Sequence, residues 1–220
     1  MWFPVNRNSL SQRLSNTFAR NLIHVALYEK LDAYIARAAQ LSPEELAFFH
    51  SLVAHQKLPA KTFLLREGEV CKYEAYVLQG SLRKYCIDDA GHEVNLQFAT
   101  EDWWISDLAS FTEQRPSALF IQALEASEVL LIEHDSKELL FQKIPALERM
   151  FRLMMQRSYA VLQERFLSVL TSPAEERYLA FLEKYPALPQ RIPQHHIASY
   201  LGMTPEFLSK VRKRLAAKKH

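Results

Sequence analysis

The sequence predicts an α+β protein: short helices, a roll of β-strands, one long helix and a terminal helix-turn-helix. Three observations carry this. Between Lys61 and His134, short runs rich in Val, Leu, Phe and Tyr alternate with turn signals such as "REGEV", "LQGSL" and "DDAGHE". From Ile144 to about Leu170 the apolar spacing becomes helical. At residues 191–215, "RIPQHHIASYLGMTPEFLSKVRKRL", two short apolar periods meet at a single Gly, and four Lys/Arg fall within Lys210–Arg214.

The 220 residues make one large domain or two small ones, and 49% hydrophobic residues suffice for a core. No apolar run approaches the roughly 20 residues of a membrane span, so no membrane partner is expected. The net charge of +2 hides an asymmetry. Residues 173–220 hold nine Lys/Arg against four Asp/Glu, while residues 1–172 hold 18 against 21. A basic C-terminal segment on a mildly acidic body suggests a polyanionic partner. Cys71 and Cys86 are too few for a disulfide scaffold, a four-cysteine zinc site or an iron–sulfur cluster. They read as free thiols in a reducing cytoplasm, with no cofactor.

Taken in order, residues 1–29 contain three Arg and no acid before Glu29, and His24 interrupts their apolar run. A secretory signal is not expected there, and this N-terminal extension receives no function. A helix is expected over about 29–39. "LSPEEL" at 41–46 starts another: Ser42 caps it, Pro43 takes the first position and Glu45 closes a capping box. Asp88-Asp89-Ala90-Gly91 reads as a hairpin loop, and "LFIQALE" and "EVLLIEH" as two more strands. Seven or eight strands with no helix between them would close a β-barrel or β-roll.

The long helix of roughly 26 residues would span about 39 Å. Its apolar stripe includes Leu147, Met150, Phe151, Met154, Val161, Leu162, Phe166 and Val169. One side is expected to pack on the roll and the other on a second copy of the chain, with Phe151, Met154, Ser158, Val161 and Leu162 in that homodimer interface. "TSP" at 171–173 ends it. The expected units are 1–29, 30–143, 144–171 and 172–220.

In the last unit, Ala198 is small where two helices cross, and Gly202 tolerates positive φ in the turn. Ile197, Leu201, Met203, Leu208 and Val211 supply the packing face. Thr204 caps the second helix and Pro205 begins it. Its free face carries Pro205, Glu206, Ser209, Lys210 and Lys213, of which the first four are expected to meet base edges in a major groove. There Glu206 would accept from a cytosine amino group and Lys210 would donate to guanine. Gln194, His195, Thr204, Arg212, Lys213 and Arg214 are expected at phosphates. The expected partner is therefore double-stranded DNA.

The order of parts over about residues 30–217 resembles the Crp/Fnr family of bacterial regulators, more closely a subgroup common in Bacteroidetes-type bacteria. The resembling stretches are "LSPEEL", "LLREGEVCKY", "QGSLRKY", "EDWWISDLASF", "IQALEASEVLLI", "AEERYLAFLEKYP" and the 191–215 segment. The resemblance implies a cyclic-nucleotide-binding-like double-stranded β-helix, a dimerisation helix and a winged-helix-like DNA-binding unit. RNA polymerase is a further implied partner. The wing must be reduced, with strand pairing limited to the stretch around Arg191–Ile192.

At the family's effector pocket the sequence departs from the pattern. Ser106-Asp107-Leu108 stands where a Gly-Glu-Leu stretch holds the ribose. Pro116-Ser117 stands where an Arg-Ser/Thr pair holds the cyclic phosphate. Arg115, one residue early on an expected strand, would point to the other face. Burying the phosphate without a cation is costly, so cyclic AMP and cyclic GMP are not expected ligands. Trp103 and Trp104 read as barrel packing or as an aromatic wall for another effector, and a roll filled by its own side chains is the remaining option.

The competing readings are a cupin-like enzyme and a sensor or protein-interaction module with degenerate DNA binding. For the enzyme, His92 and Glu93 face opposite sides of a strand and His134 is remote, and no nucleophile elbow or P-loop appears. No enzymatic activity is expected.

Overall fold

The computed structural model describes residues 27–218. Helix α1 occupies residues 27–36, and α2 (Pro43–Leu52) begins with the expected capping box: Ser42 Oγ accepts from the Glu45 N–H, and the Glu45 carboxylate accepts from the Ser42 N–H. The predicted N-terminal extension lies almost wholly outside the described residues.

Eight strands follow: β1 (Val53–Leu58), β2 (Phe63–Leu65), β3 (Tyr73–Gln79), β4 (Leu82–Ile87), β5 (Glu93–Ala99), β6 (Trp104–Ile105), β7 (Phe120–Ala123) and β8 (Ser127–Glu133). They form two antiparallel four-stranded sheets, ordered β1-β8-β3-β6 and β2-β7-β4-β5. Leu58, Leu65, Val77, Leu82, Ile121 and Val129 fill the space between them. The side-chain period of two explains why β3 reads as a continuous apolar run. Ala75 and Val77 face this interior, while Tyr76 and Leu78 face a helical layer outside. The sheets approach closely at the β3–β4 turn. Gly80 has φ +98°, and a Cβ there would lie 2.2 Å from Ser127 Oγ.

One helix interrupts what reads as uninterrupted β texture, and a second follows directly behind the last strand. Helix α3 (Leu108–Glu113) lies between β6 and β7, capped by Asp107. Helix α4 (His134–Lys143) follows β8 directly, so "EVLLIEH" runs from strand into helix without a turn signal. The expectation of strands with no helix between them is corrected at α3, while α4 lies beyond the last strand. Arg115 likewise stands on no strand: it follows the left-handed Gln114, is exposed, and pairs with Glu113.

Helix α5 (Pro145–Thr171) is the long helix, 27 residues. Its apolar stripe also divides along its length. Leu147, Met150 and Phe151 are buried with α1, α2 and α4 against the β1-β8-β3-β6 sheet. Beyond Met155 the large apolar residues turn to solvent. Phe151 is therefore a core residue and not an interface one, and Met154 packs partly on the same core.

Helices α6 (Ala174–Lys184), α7 (Leu188–Arg191), α8 (Gln194–Tyr200) and α9 (Pro205–Ala217) complete the described chain. The stretch expected to form a minimal wing is helical at Arg191 instead. That side chain ties the unit to the roll through Glu101 and Glu125.

Candidate nucleic-acid interface and its seat on the β-roll

Helices α8 and α9 meet at Gly202, whose φ of +65° explains the choice of glycine. The Met203 N–H donates to the Ala198 carbonyl at 2.9 Å, closing the turn. Ala198 is fully buried at the crossing, with Ile197, Leu201, Leu208 and Val211 around it. Thr204 Oγ1 accepts from the Phe207 N–H at 3.2 Å, and Pro205 occupies the first helical position. The bihelical geometry read from these residues is present.

Leu208 and Val211 lie inward on α9, with Leu215 partly buried beside them. Pro205, Glu206, Ser209, Lys210, Arg212, Lys213 and Arg214 are all exposed. Arg214 and Lys218 lie 3.6 and 2.7 Å from the Glu175 carboxylate on α6. Lys210, Arg212 and Lys213 pair with no acid among the described residues. Thr204 and His195 are exposed at the starts of α9 and α8. Gln194 is half-buried, and its amide donates to the Pro189 carbonyl at 3.3 Å, so it is turned away from the phosphate role expected of it.

Sequence reasoning missed how this unit is held. Helix α8 lies along β5. Ser199 Oγ donates to the Glu93 carbonyl at 2.5 Å and accepts from the Asn95 N–H at 2.9 Å. Arg165 of α5 reaches across the joint, donating to the carbonyls of Asn95, Leu96 and Tyr200 while its guanidinium stacks on the Tyr200 ring at 3.9 Å. On the roll side, the buried Arg83 of β4 binds Glu93 and Gln122 and donates to His196 Nδ1 at 2.9 Å. Burial, then Arg83 and His195, push the His196 imidazole down to about 4, so it is neutral at pH 7 and free to accept. Phe98, fully buried, projects from β5 into Phe181, Tyr185 and Tyr200. Arg83 and Phe98, cross-strand partners on β4 and β5, give no periodic hint of this seat. The one available signal was an aromatic excess on the helices beyond Pro173.

The two elements expected to frame an effector do meet. Ser117 Oγ donates to the Asp107 carboxylate at 2.6 Å, and Asp107 also caps α3 at the Ser110 N–H. Lys84, on the inner side of β4, donates to the Ser106 carbonyl at 2.9 Å, and burial lowers its pKa. Leu108 and Pro116 face solvent. The aromatic-wall expectation is corrected. Trp104 packs outside the roll against Tyr76 and Phe151, and Trp103 lies at the seam with α6, its ring 5.7 Å from Tyr185.

Comparison with known proteins bears on the fold. Residues 55–143 match the cyclic nucleotide-binding domain family. An anaerobic regulatory protein of Pasteurella multocida is 27% identical over 187 residues, covering 80% of this chain and 68% of that protein. The chain is thus similar to bacterial regulatory proteins. The cAMP-activated global transcriptional regulator CRP of Escherichia coli O157:H7 is 27% identical over 120 residues, 54% of this chain. That match spans just over half, 57%, of the Crp relative. Among solved structures, FixK2 from Bradyrhizobium japonicum superposes with a TM-score of 0.67 at 18% identity, covering 76% of this chain and 86% of that one. The regulator CLP of Xanthomonas campestris, described as c-di-GMP responsive, gives 0.65 at 16% identity, covering 81% and 93%. At such identities the Crp/Fnr-like structures establish the fold: a mixed α+β chain with a cyclic-nucleotide-type β-roll and helices. No helix among the described residues is long and apolar enough to cross a membrane.

Proposed function

We propose that this protein is a cytoplasmic, DNA-binding transcription regulator of the Crp/Fnr type, in the Bacteroidetes-type subgroup its motifs resemble. In this reading it works as a homodimer, and α9 reads one half-site of a palindromic operator. The carrying observation is α9 itself: an apolar stripe inward, and outward a polar face with three cations that no carboxylate among the described residues claims. Pro205, Glu206, Ser209 and Lys210 face the bases. His195, Thr204, Arg212, Lys213 and, in competition with Glu175, Arg214 meet phosphates. RNA polymerase is the further partner this reading implies.

Pairing rests on the second half of α5. Tyr159, Leu162, Phe166 and Leu170 are 69, 57, 64 and 66% exposed. Tyr159, Leu162 and Phe166 follow the three-then-four spacing of a coiled-coil seam, Leu170 extends the exposed face by one more turn, and Val161 and the exposed Ser158 flank it. A second copy covers this face, which would hold two α9 helices at half-sites about 34 Å apart. The reading without cyclic AMP or cyclic GMP is supported by Pro116 facing solvent, Arg115 paired with Glu113, and Asp107 and Ser117 bonded to each other. Any effector is therefore of another kind.

The test is Phe166→Glu, at an exposed position. It should leave the fold intact, convert the dimer to a monomer by light scattering, and abolish tight binding to a selected duplex. A variant still dimeric contradicts the interface, and one that is monomeric yet binds as tightly contradicts paired reading.

A further inference from the structure

The structure assigns a base-reading role to Phe207: its ring takes the 5-methyl group of a thymine in the operator. This deepens the DNA-reading proposal and rests on it. Phe207 is the third residue of α9 and is 42% exposed. The other aromatic residues of the C-terminal helices, Tyr178, Phe181, Tyr185 and Tyr200, are at most 6% exposed. Among the described residues its ring forms no aromatic pair and carries no cation, whereas Phe181, Tyr185 and Tyr200 interlock.

Its place on the helix makes the exposure specific. At 100° per residue, Leu208, Val211 and Leu215 define the buried face of α9. Phe207 lies on its flank, directly before Lys210 and Arg214 at three and seven residues on, and next to Glu206. Its N–H is fixed by Thr204 Oγ1, so the first turn that carries the ring is held in place. A surface that combines unpaired cations with one aromatic ring fits a polyanion that has isolated apolar points. In the major groove, the thymine methyl is that point. Hydrogen bonds from Glu206 and Lys210 read base edges, while Phe207 adds an apolar contact they cannot supply.

The experiment uses the full chain. A duplex is first selected from a random pool. Each thymine is then replaced singly by deoxyuridine, which removes one methyl and leaves every hydrogen-bonding edge intact. One thymine per half-site should be sensitive, with loss of its methyl weakening binding on the order of fourfold, the worth of one buried methyl. Phe207→Ala should bind the thymine and uracil duplexes alike, near the affinity of the natural protein for the uracil duplex. Phe207→Leu should restore part of the difference. Natural protein indifferent to every methyl, or Phe207→Ala with the same penalty as the natural protein, overturns the assignment alone. Failure to select any duplex overturns the DNA reading and this role together.

Discussion

Helices α8 and α9 form one bihelical unit, yet the fold treats them in opposite ways. Helix α8 buries His196, Ile197, Ala198 and Tyr200 and is bonded to β5 through Ser199 and the His196 carbonyl. Helix α9 buries Leu208 and Val211 and leaves its cationic side in water. The same sequence block thus contains a part whose position is dictated by the β-roll and a part whose chemistry is left free. Position and recognition are separated. Under the proposed function, a change in the β4–β5 hairpin would reach α9 through α8 without touching the exposed face of α9.

The largest effect expected from breaking this contrast is at the seat of α8. Phe98 is fully buried among three aromatic rings of the C-terminal unit. Phe98→Ala should cost about 3–5 kcal/mol of unfolding free energy. Denaturant titration checks this, and a loss under 1 kcal/mol would mean that the two units do not pack on each other in solution.

Next in size is a pH effect at the same seat. His196, facing Arg83, Glu93 and His195, is held near 4 in the folded chain, against about 6.5 when unfolded. The unfolded state binds its proton first, so this contribution is complete above pH 6.5 and is lost as pH falls from 6.5 toward 4, up to about 3 kcal/mol. His196→Gln should flatten that part of the stability profile.

On α9 the expectation reverses, with binding lost and stability kept. Lys210→Ala should weaken cognate binding by about 1–3 kcal/mol and relax the preference at one base pair. Equal weakening on all sequences would reassign Lys210 to a phosphate. The smallest effect is at Lys213. Its substitution by Ala should change stability by less than about 0.5 kcal/mol while lowering the salt slope of binding by about one.

These regions also differ in how well the sequence disclosed them. The exposed polar face of α9, the Ser42 capping box, the Gly202 turn and the α5 span follow from local rules: caps, a positive φ and helical periodicity. Helix α3 has six residues, too short for a period, and α4 begins at the last residue of an apolar run. The seat of α8 depends on partners more than 100 residues apart, Arg83 with His196 and Asn95 with Ser199. Such polar contacts leave no periodic trace. Neither does the buried pair Lys137–Glu74, at 2.8 Å, which joins α4 to β3. The split of the α5 stripe was likewise invisible, because Phe151 and Phe166 look alike until one is seen packed in the core and the other exposed.

The most direct measurement is sedimentation of the purified chain with and without a duplex selected from random DNA. The account predicts a dimer alone, and two chains on one duplex whose two half-sites are related by symmetry, dissociating steeply as salt rises. A chain that sediments as a monomer and leaves every duplex free would contradict it.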